Sequence, residues 1–226
     1  MAQFQQLCSQ FSNRLTIVTG HYGTGKTEFS VNLALALAKN QQTMLADLDI
    51  VNPYFRSRER RDILAAAGVE LVASSQACVD ADVPSLPAQL LTVLQHPTAR
   101  GVLDIGGDAV GARVLARFAP QIQVQDHQMV FVVNANRPET ATVDKAMAYL
   151  QAIEQTTHLT CAGLVHNTHL CGETTAQTVE EGAILAQRLS EKTGLPILCH
   201  VAKTGLNPNV SPLFSIDIQM KKPWEQ

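Results

Sequence analysis

The chain has 226 residues, with seventeen lysines and arginines against twenty aspartates and glutamates, for a formal net charge of −3. Hydrophobic residues make up 46% of it, enough to bury a core without disulfide or metal staples, which excludes a mainly disordered chain. Charged residues at 16% and aromatics at 5% argue against an open nucleic-acid surface built on phosphate contacts and base stacking. Short apolar or β-branched runs then alternate with longer helical patterns. RLTIVTG (14–20) predicts a buried strand, and 27–39, rich in Leu and Ala, a helix. A strand follows at 42–49, a helix at 58–67 stopped by Gly68, and a strand at 69–74. Next come a helix at 86–95, a strand at 101–107, a helix at 109–118 and the most strand-like run of all at 128–136. A helix at 139–155, a strand at 159–167, a helix at 174–192 ended by Gly194, and strands at 196–202 and 214–219 complete the chain. Continuous apolar strands alternating with helices predict an α/β three-layer sandwich: a doubly wound, mostly parallel sheet of seven or eight strands. With no repeat or linker to divide it, 1–226 is expected to be a single domain.

In such sheets ligands bind beyond the carboxyl ends of the strands, and the motifs fall there. GHYGTGKT (20–27) satisfies G-x-x-x-x-G-K-[ST] between a buried strand and a helix, as a phosphate-binding loop requires. Gly20, Gly23 and Gly25 let the backbone curl around an anion, with the helix N-terminus behind it. Lys26 is expected to reach the β- and γ-phosphates and the Thr27 hydroxyl to ligate Mg²⁺. His21, Tyr22, Thr24 and Glu28 complete the expected nucleotide-contact set.

The metal-side carboxylate has two candidates. GVLDIGGD (101–108) ends a strand at Asp104 and continues to Gly107, the D-x-x-G spacing in which the aspartate supports Mg²⁺ and the glycine N–H meets the γ-phosphate. ADLDIVN (46–52) offers Asp47 and Asp49, which alternate across a strand end. Asp49, nearer the loop, is the better candidate to face Mg²⁺ or the attacking water.

These pieces, in this order, resemble the MinD/ParA/CooC group of P-loop ATPases over about 14–200. The group has an Asp-x-Asp after the second strand, here Asp47 to Asp49, and a later D-x-x-G strand, here Asp104 to Gly107. It also has an asparagine after a later strand that reads adenine, a place held here by Asn167 in GLVHN. The resemblance implies ATP and Mg²⁺ as cofactors. No guanine-reading N-K-x-D is present, NANR at 134–137 being different. The chain departs from the group at His21, where a lysine normally crosses to the partner's nucleotide in an ATP-bound dimer, and at Tyr22, where a glycine is usual. It is most like members that carry GHYGxGKTE and DLDIVNPYFRSRE stretches, and a homodimer is one expectation.

Other clusters give weaker signals. In NPYFRSRERR (52–61), Arg56 and Arg58 fit either a phosphate contact or a solvated helix face, while Tyr54 and Phe55 fit loop anchors. His166, His169 and Cys171 are soft metal donors, but their spacing matches no structural zinc pattern and they read more readily as loop residues near the nucleotide. Five cysteines, odd in number and without a CxxC pair, fit a reducing compartment and a cytoplasmic protein. Cys8, Cys78 and Cys199 read as ordinary thiols in or near the core. No signal peptide, membrane span or basic amphipathic tail is evident, so neither membrane nor nucleic acid is expected as a partner. The functional expectation is a slow Mg²⁺-dependent ATPase acting as a switch for a protein client. Its alternatives are a small-molecule kinase or amidoligase-type synthetase, and a non-catalytic nucleotide sensor or metal-delivery accessory protein.

Overall fold

Eight parallel strands form one sheet in the computed structural model, which describes residues 7–48, 60–72, 85–107 and 109–220, side chains at 85–89 and 109–110 excepted. Asp49, Tyr54, Phe55, Arg56, Arg58, Cys78 and the tail at 221–226 lie outside the described residues. In chain order the elements are β1 (Leu15–Thr19), α1 (Lys26–Ala38), β2 (Thr43–Leu48), α2 (Arg61–Ala66), β3 (Val69–Val72), α3 (Ser85–Gln95) and β4 (Arg100–Ile105). There follow α4 (Ala109–Gln123), β5 (His127–Val133), α5 (Val143–Thr157), β6 (Cys161–His166), α6 (Ala176–Thr193), β7 (Ile197–Lys203) and β8 (Leu213–Ile216). Every predicted strand and helix is present, and all seven strand pairings are parallel.

The strand order is β3-β2-β4-β1-β5-β6-β7-β8. The chain leaves β1 toward one edge, returns to insert β4 beside β1, and then crosses to build the other half. β1 is therefore central, and its carboxyl end lies at the switch in strand order where α/β sheets bind ligands. All five β1 residues are buried, as a strand covered on both faces demands. Ile17, Leu103 and Phe131 pack under α3 to α6, while Val18, Val102 and Val130 pack under α1.

The largest boundary differences from the sequence expectation fall at two helices. Helix α4 runs to Gln123 instead of stopping at 118, and carries Pro120 inside it. Proline removes one helical donor, but Phe118, Ala119 and Ile122 are all buried against the sheet, and that burial keeps the last turn in place. Helix α5 starts at Val143, not 139. Residues 137–140 close a turn through Thr140 N–H to the Arg137 carbonyl, and Thr142 caps the helix by accepting from Lys145 N–H.

Polar groups also join β6 to β7. His166 and His200 are both buried, their Nδ1 atoms 3.0 Å apart, and His166 Nε2 meets Thr168 Oγ1 at 2.8 Å. Burial, and then the neighbouring His200, hold the His166 pKa down at about 3; burial lowers His200 as well. Burial pushes the Cys161 thiol up to about 12 and raises Cys199, so both are inert core thiols.

The histidine pair makes stability pH-dependent. Between an unfolded value of 6.5 and a folded value of about 3, the unfolded chain binds a proton that native His166 refuses. Stability therefore falls as pH drops below 6.5, by on the order of 2 kcal/mol from His166 alone at pH ~5. Urea unfolding at pH ~8 and ~5 should show this loss, and the His166→Gln variant should show a shallower pH dependence. Equal slopes for the two proteins would rule out the buried imidazole as its source.

Candidate functional site

The loop at 20–25 joins the end of β1 to α1. Because β4 and β5 flank β1, and β2 and β6 lie one strand further out, Asp104, Asp47, residues 134–137 and Asn167 all reach the same edge of the sheet. Helix α1 begins without a side-chain cap. Its N-cap, Gly25, has φ +85°, and a Cβ there would lie 2.2 Å from Asn167 Nδ2, so only glycine fits. The first amides of α1 have no intrahelical carbonyl to reach, and the helix dipole adds positive potential where they emerge.

The loop carbonyls are pinned one by one. The Thr24 hydroxyl and the Lys26 ammonium donate to the His21 carbonyl at 2.8 and 3.2 Å. Arg137 Nε donates to the Gly23 carbonyl at 2.7 Å, and Asn167 Nδ2 to the Thr24 carbonyl at 2.8 Å. With these carbonyls fixed by side chains of the loop, of α1 and of more distant segments, the loop is held in the curled form that presents amides to an anion. Lys26 is only 5% exposed, which places a buried cation against that backbone. His169 sits beside it, 3.3 Å from where a Gly25 Cβ would lie. Burial, and then the charge of Arg137, lower the His169 pKa to about 4, so it is a neutral ring there.

On the other side of β1 the carboxylates gather. Asp47 and Asp104 are in-register neighbours on β2 and β4, 3% and 1% exposed. In-register residues of parallel strands project to the same face of the sheet. Ser30 of α1 donates to Asp104 Oδ1 at 3.3 Å. Two buried carboxylates side by side repel each other unless a cation or a proton lies between or beside them. With the Thr27 hydroxyl at the start of α1, they are the side-chain oxygens here that could serve a hard cation such as Mg²⁺. Gly107 follows β4, with its backbone against Gly20, His21 and Tyr22. His21 and Tyr22 form the crest of the loop, where Tyr22 is 54% exposed.

Several candidates from the sequence stand differently in the structure. Glu28 was expected among the nucleotide contacts, but its carboxylate is engaged elsewhere. It accepts from Gln219 N–H at 2.6 Å and Met220 N–H at 3.1 Å, and Asn32 Nδ2 donates to it at 3.2 Å. A carboxylate next to a phosphate loop would oppose an anion, whereas here it anchors the segment after β8; burial raises its pKa against the hydrogen bonds that lower it. Asn167, expected at adenine, has its amide nitrogen on the loop backbone. The His166, His169 and Cys171 cluster is split. His166 is buried within β6 and turned to His200, leaving only His169 and Cys171 together, Nδ1 to Sγ 3.9 Å. Among the described residues no group of three or more such side chains could hold a metal ion. Asp47 stands beside Asp104, while Asp49 lies outside the described residues. The sequence signal for the Arg137 clamp was an arginine four residues past a central strand, which by itself does not say which carbonyl it meets.

No protein-family model matches the chain, and no curated protein matches it in sequence. Solved structures share its fold. FtsY from Mycoplasma mycoides superposes with a TM-score of 0.56 at 14% identity, over 81% of this chain and 58% of that one. The signal recognition particle 54 kDa protein from Aeropyrum pernix K1, in complex with GDP, gives 0.53 at 18% identity, over 81% of this chain and 40% of that one. The VpsO kinase domain gives 0.50 at 20% identity, over 75% of this chain and 92% of that one. The chain thus spans 58% and 40% of the first two relatives. At these identities the likeness concerns the fold alone.

If Glu28 serves the C-terminal segment, the Glu28→Ala variant should release the amides of Gln219 and Met220. Their hydrogen exchange should quicken by about 10-fold or more, while exchange in α5 stays unchanged. Unaltered protection at 219 and 220 would return Glu28 to the nucleotide-contact set.

Proposed function

We propose that the chain is a Mg²⁺-dependent ATPase of low intrinsic rate whose nucleotide state governs its hold on a protein client. The observation that carries this is the pinned loop. Its carbonyls are held by Arg137, Asn167, Thr24 and Lys26 at the start of an uncapped helix, at the end of the central strand. A loop so held meets a polyphosphate with little reorganisation, which is what phosphoryl transfer asks of a protein.

The roles follow from position and chemistry. Loop amides and Lys26 bind the β- and γ-phosphates. Thr27, Asp104 and Asp47 supply the oxygens that would hold Mg²⁺, which when bound offsets charge on those phosphates. Asp49, two residues beyond Asp47, is assigned the attacking water. Gly107 N–H is assigned to the third phosphate. ATP is preferred because N-K-x-D is missing from the sequence and because the order of motifs resembles the MinD/ParA/CooC ATPases. A protein client, reached as monomer or homodimer, suits the sparse surface charge better than nucleic acid. Among the described residues, no helix is long and apolar enough to cross a membrane. The GDP-bound signal recognition particle protein of similar fold favours a second reading, a guanine-nucleotide switch on the same loop.

Calorimetric titration with ATP and GTP separates the two. The Lys26→Ala variant should lose about 100-fold in affinity for the preferred triphosphate. Normal binding by that variant would place the nucleotide elsewhere. Asn167→Ala should weaken ATP and GTP alike, by about 10-fold, because it loosens the loop. A selective loss of ATP would instead make Asn167 the adenine reader.

A further inference from the structure

Gly107 is in contact with the phosphate loop. A Cβ on it would lie 2.7 Å from Tyr22 N, 2.8 Å from the Gly20 carbonyl oxygen and 2.9 Å from the His21 carbonyl carbon. Its own carbonyl accepts a hydrogen bond from the Tyr149 hydroxyl at 2.9 Å. Tyr149 belongs to α5, and its ring packs near Phe131 of β5, centroids 6.1 Å apart. The His21 ring meets it edge-on at 5.1 Å. His21 is itself held within its own chain: Nδ1 donates to the Tyr22 carbonyl at 3.1 Å and lies 3.8 Å from the Glu139 carboxylate.

On the premise that loop 20–27 binds a nucleoside triphosphate, we propose that Tyr149 is a positioning residue that makes the protein read the third phosphate. Glycine has more backbone freedom than any other residue, and a glycine meant to touch a γ-phosphate must lose that freedom on binding. The Tyr149 hydroxyl ties down the Gly107 carbonyl before any nucleotide arrives, so the cost of ordering is already met in the free protein. The aromatic contacts with Phe131 and His21 fix the ring and hence the aim of its hydroxyl. A diphosphate ends short of Gly107, so the benefit falls on the triphosphate alone. Because Tyr149 sits in the second turn of α5, a shift of Gly107 would also be felt along that helix.

The Tyr149→Phe variant keeps the ring and removes only the hydroxyl. Full-length wild type and variant are titrated with Mg²⁺ and either ADP or the β,γ-imido analogue of ATP, or the guanine pair if wild type prefers it. The variant should bind the triphosphate analogue about 5- to 10-fold more weakly, with diphosphate affinity held within about two-fold and the thermal midpoint nearly unchanged. Parallel loss of both affinities would make Tyr149 a merely structural residue and overturn the proposal, as would no loss at all. Wild type that binds both nucleotides equally would overturn it while leaving the nucleotide site intact. Wild type that binds neither would overturn the premise as well.

Discussion

A loop can present amides to an anion only if its carbonyls are turned away and kept there. Everything else in this molecule is arranged around that constraint. The carbonyls of His21, Gly23 and Thr24 each meet a donor, and the donors come from the loop, from the β5–α5 connection and from the end of β6. None of those donors is near the loop in sequence except Thr24 and Lys26. The sheet order brings the others in, because β5 lies directly beside β1 and β6 next to β5. The central place of β1 thus has a local purpose: it gives the loop neighbours on both sides.

The two sides differ in charge. Toward β5 and β6 stand Arg137 and the neutral His169; toward β4 and β2 stand Asp104 and Asp47. The helix N-terminus and Lys26 lie between them. In the proposed function a polyphosphate would meet positive potential on its loop side, and a divalent cation would meet carboxylates on the other. Glu28, the one acidic side chain in the first turn of α1, would oppose the anion if it faced the loop. Its engagement by the amides of Gln219 and Met220 removes that conflict and secures the end of the sheet.

Local patterns made the fold legible. Buried strands such as LTIVT read as strands because both faces are apolar, and the phosphate loop read correctly as a strand-to-helix turn because its glycines and lysine are contiguous. What escaped were partnerships set by the sheet. Nothing near Asn167 in sequence says that Thr24 lies 2.8 Å from it, and nothing near His166 announces His200. Nothing near Asp47 in sequence says that the β2–β4 register seats it beside Asp104. Helix α4 runs past the expected end at 118 because local propensity carries no knowledge of the core that Ile122 enters.

The clamps on the β5 and β6 side are also tied to each other. Thr168 Oγ1 accepts from Ala135 N–H at 3.0 Å and meets His166 Nε2 at 2.8 Å, so the connection carrying Arg137 and the strand end carrying Asn167 form one hydrogen-bonded unit. Gly182 of α6 closes over that unit: a Cβ there would fall 2.2 Å from Thr168 Oγ1. A loop gripped this firmly on one side has little room to respond there. Any response to the length of a bound phosphate chain is therefore directed to the β4 side, where Gly107 touches the loop backbone and its carbonyl is held by the hydroxyl of Tyr149. If the loop binds nucleotide as proposed, rigid support on one flank and a lighter tie on the other would let it distinguish two ligands differing by a single phosphate.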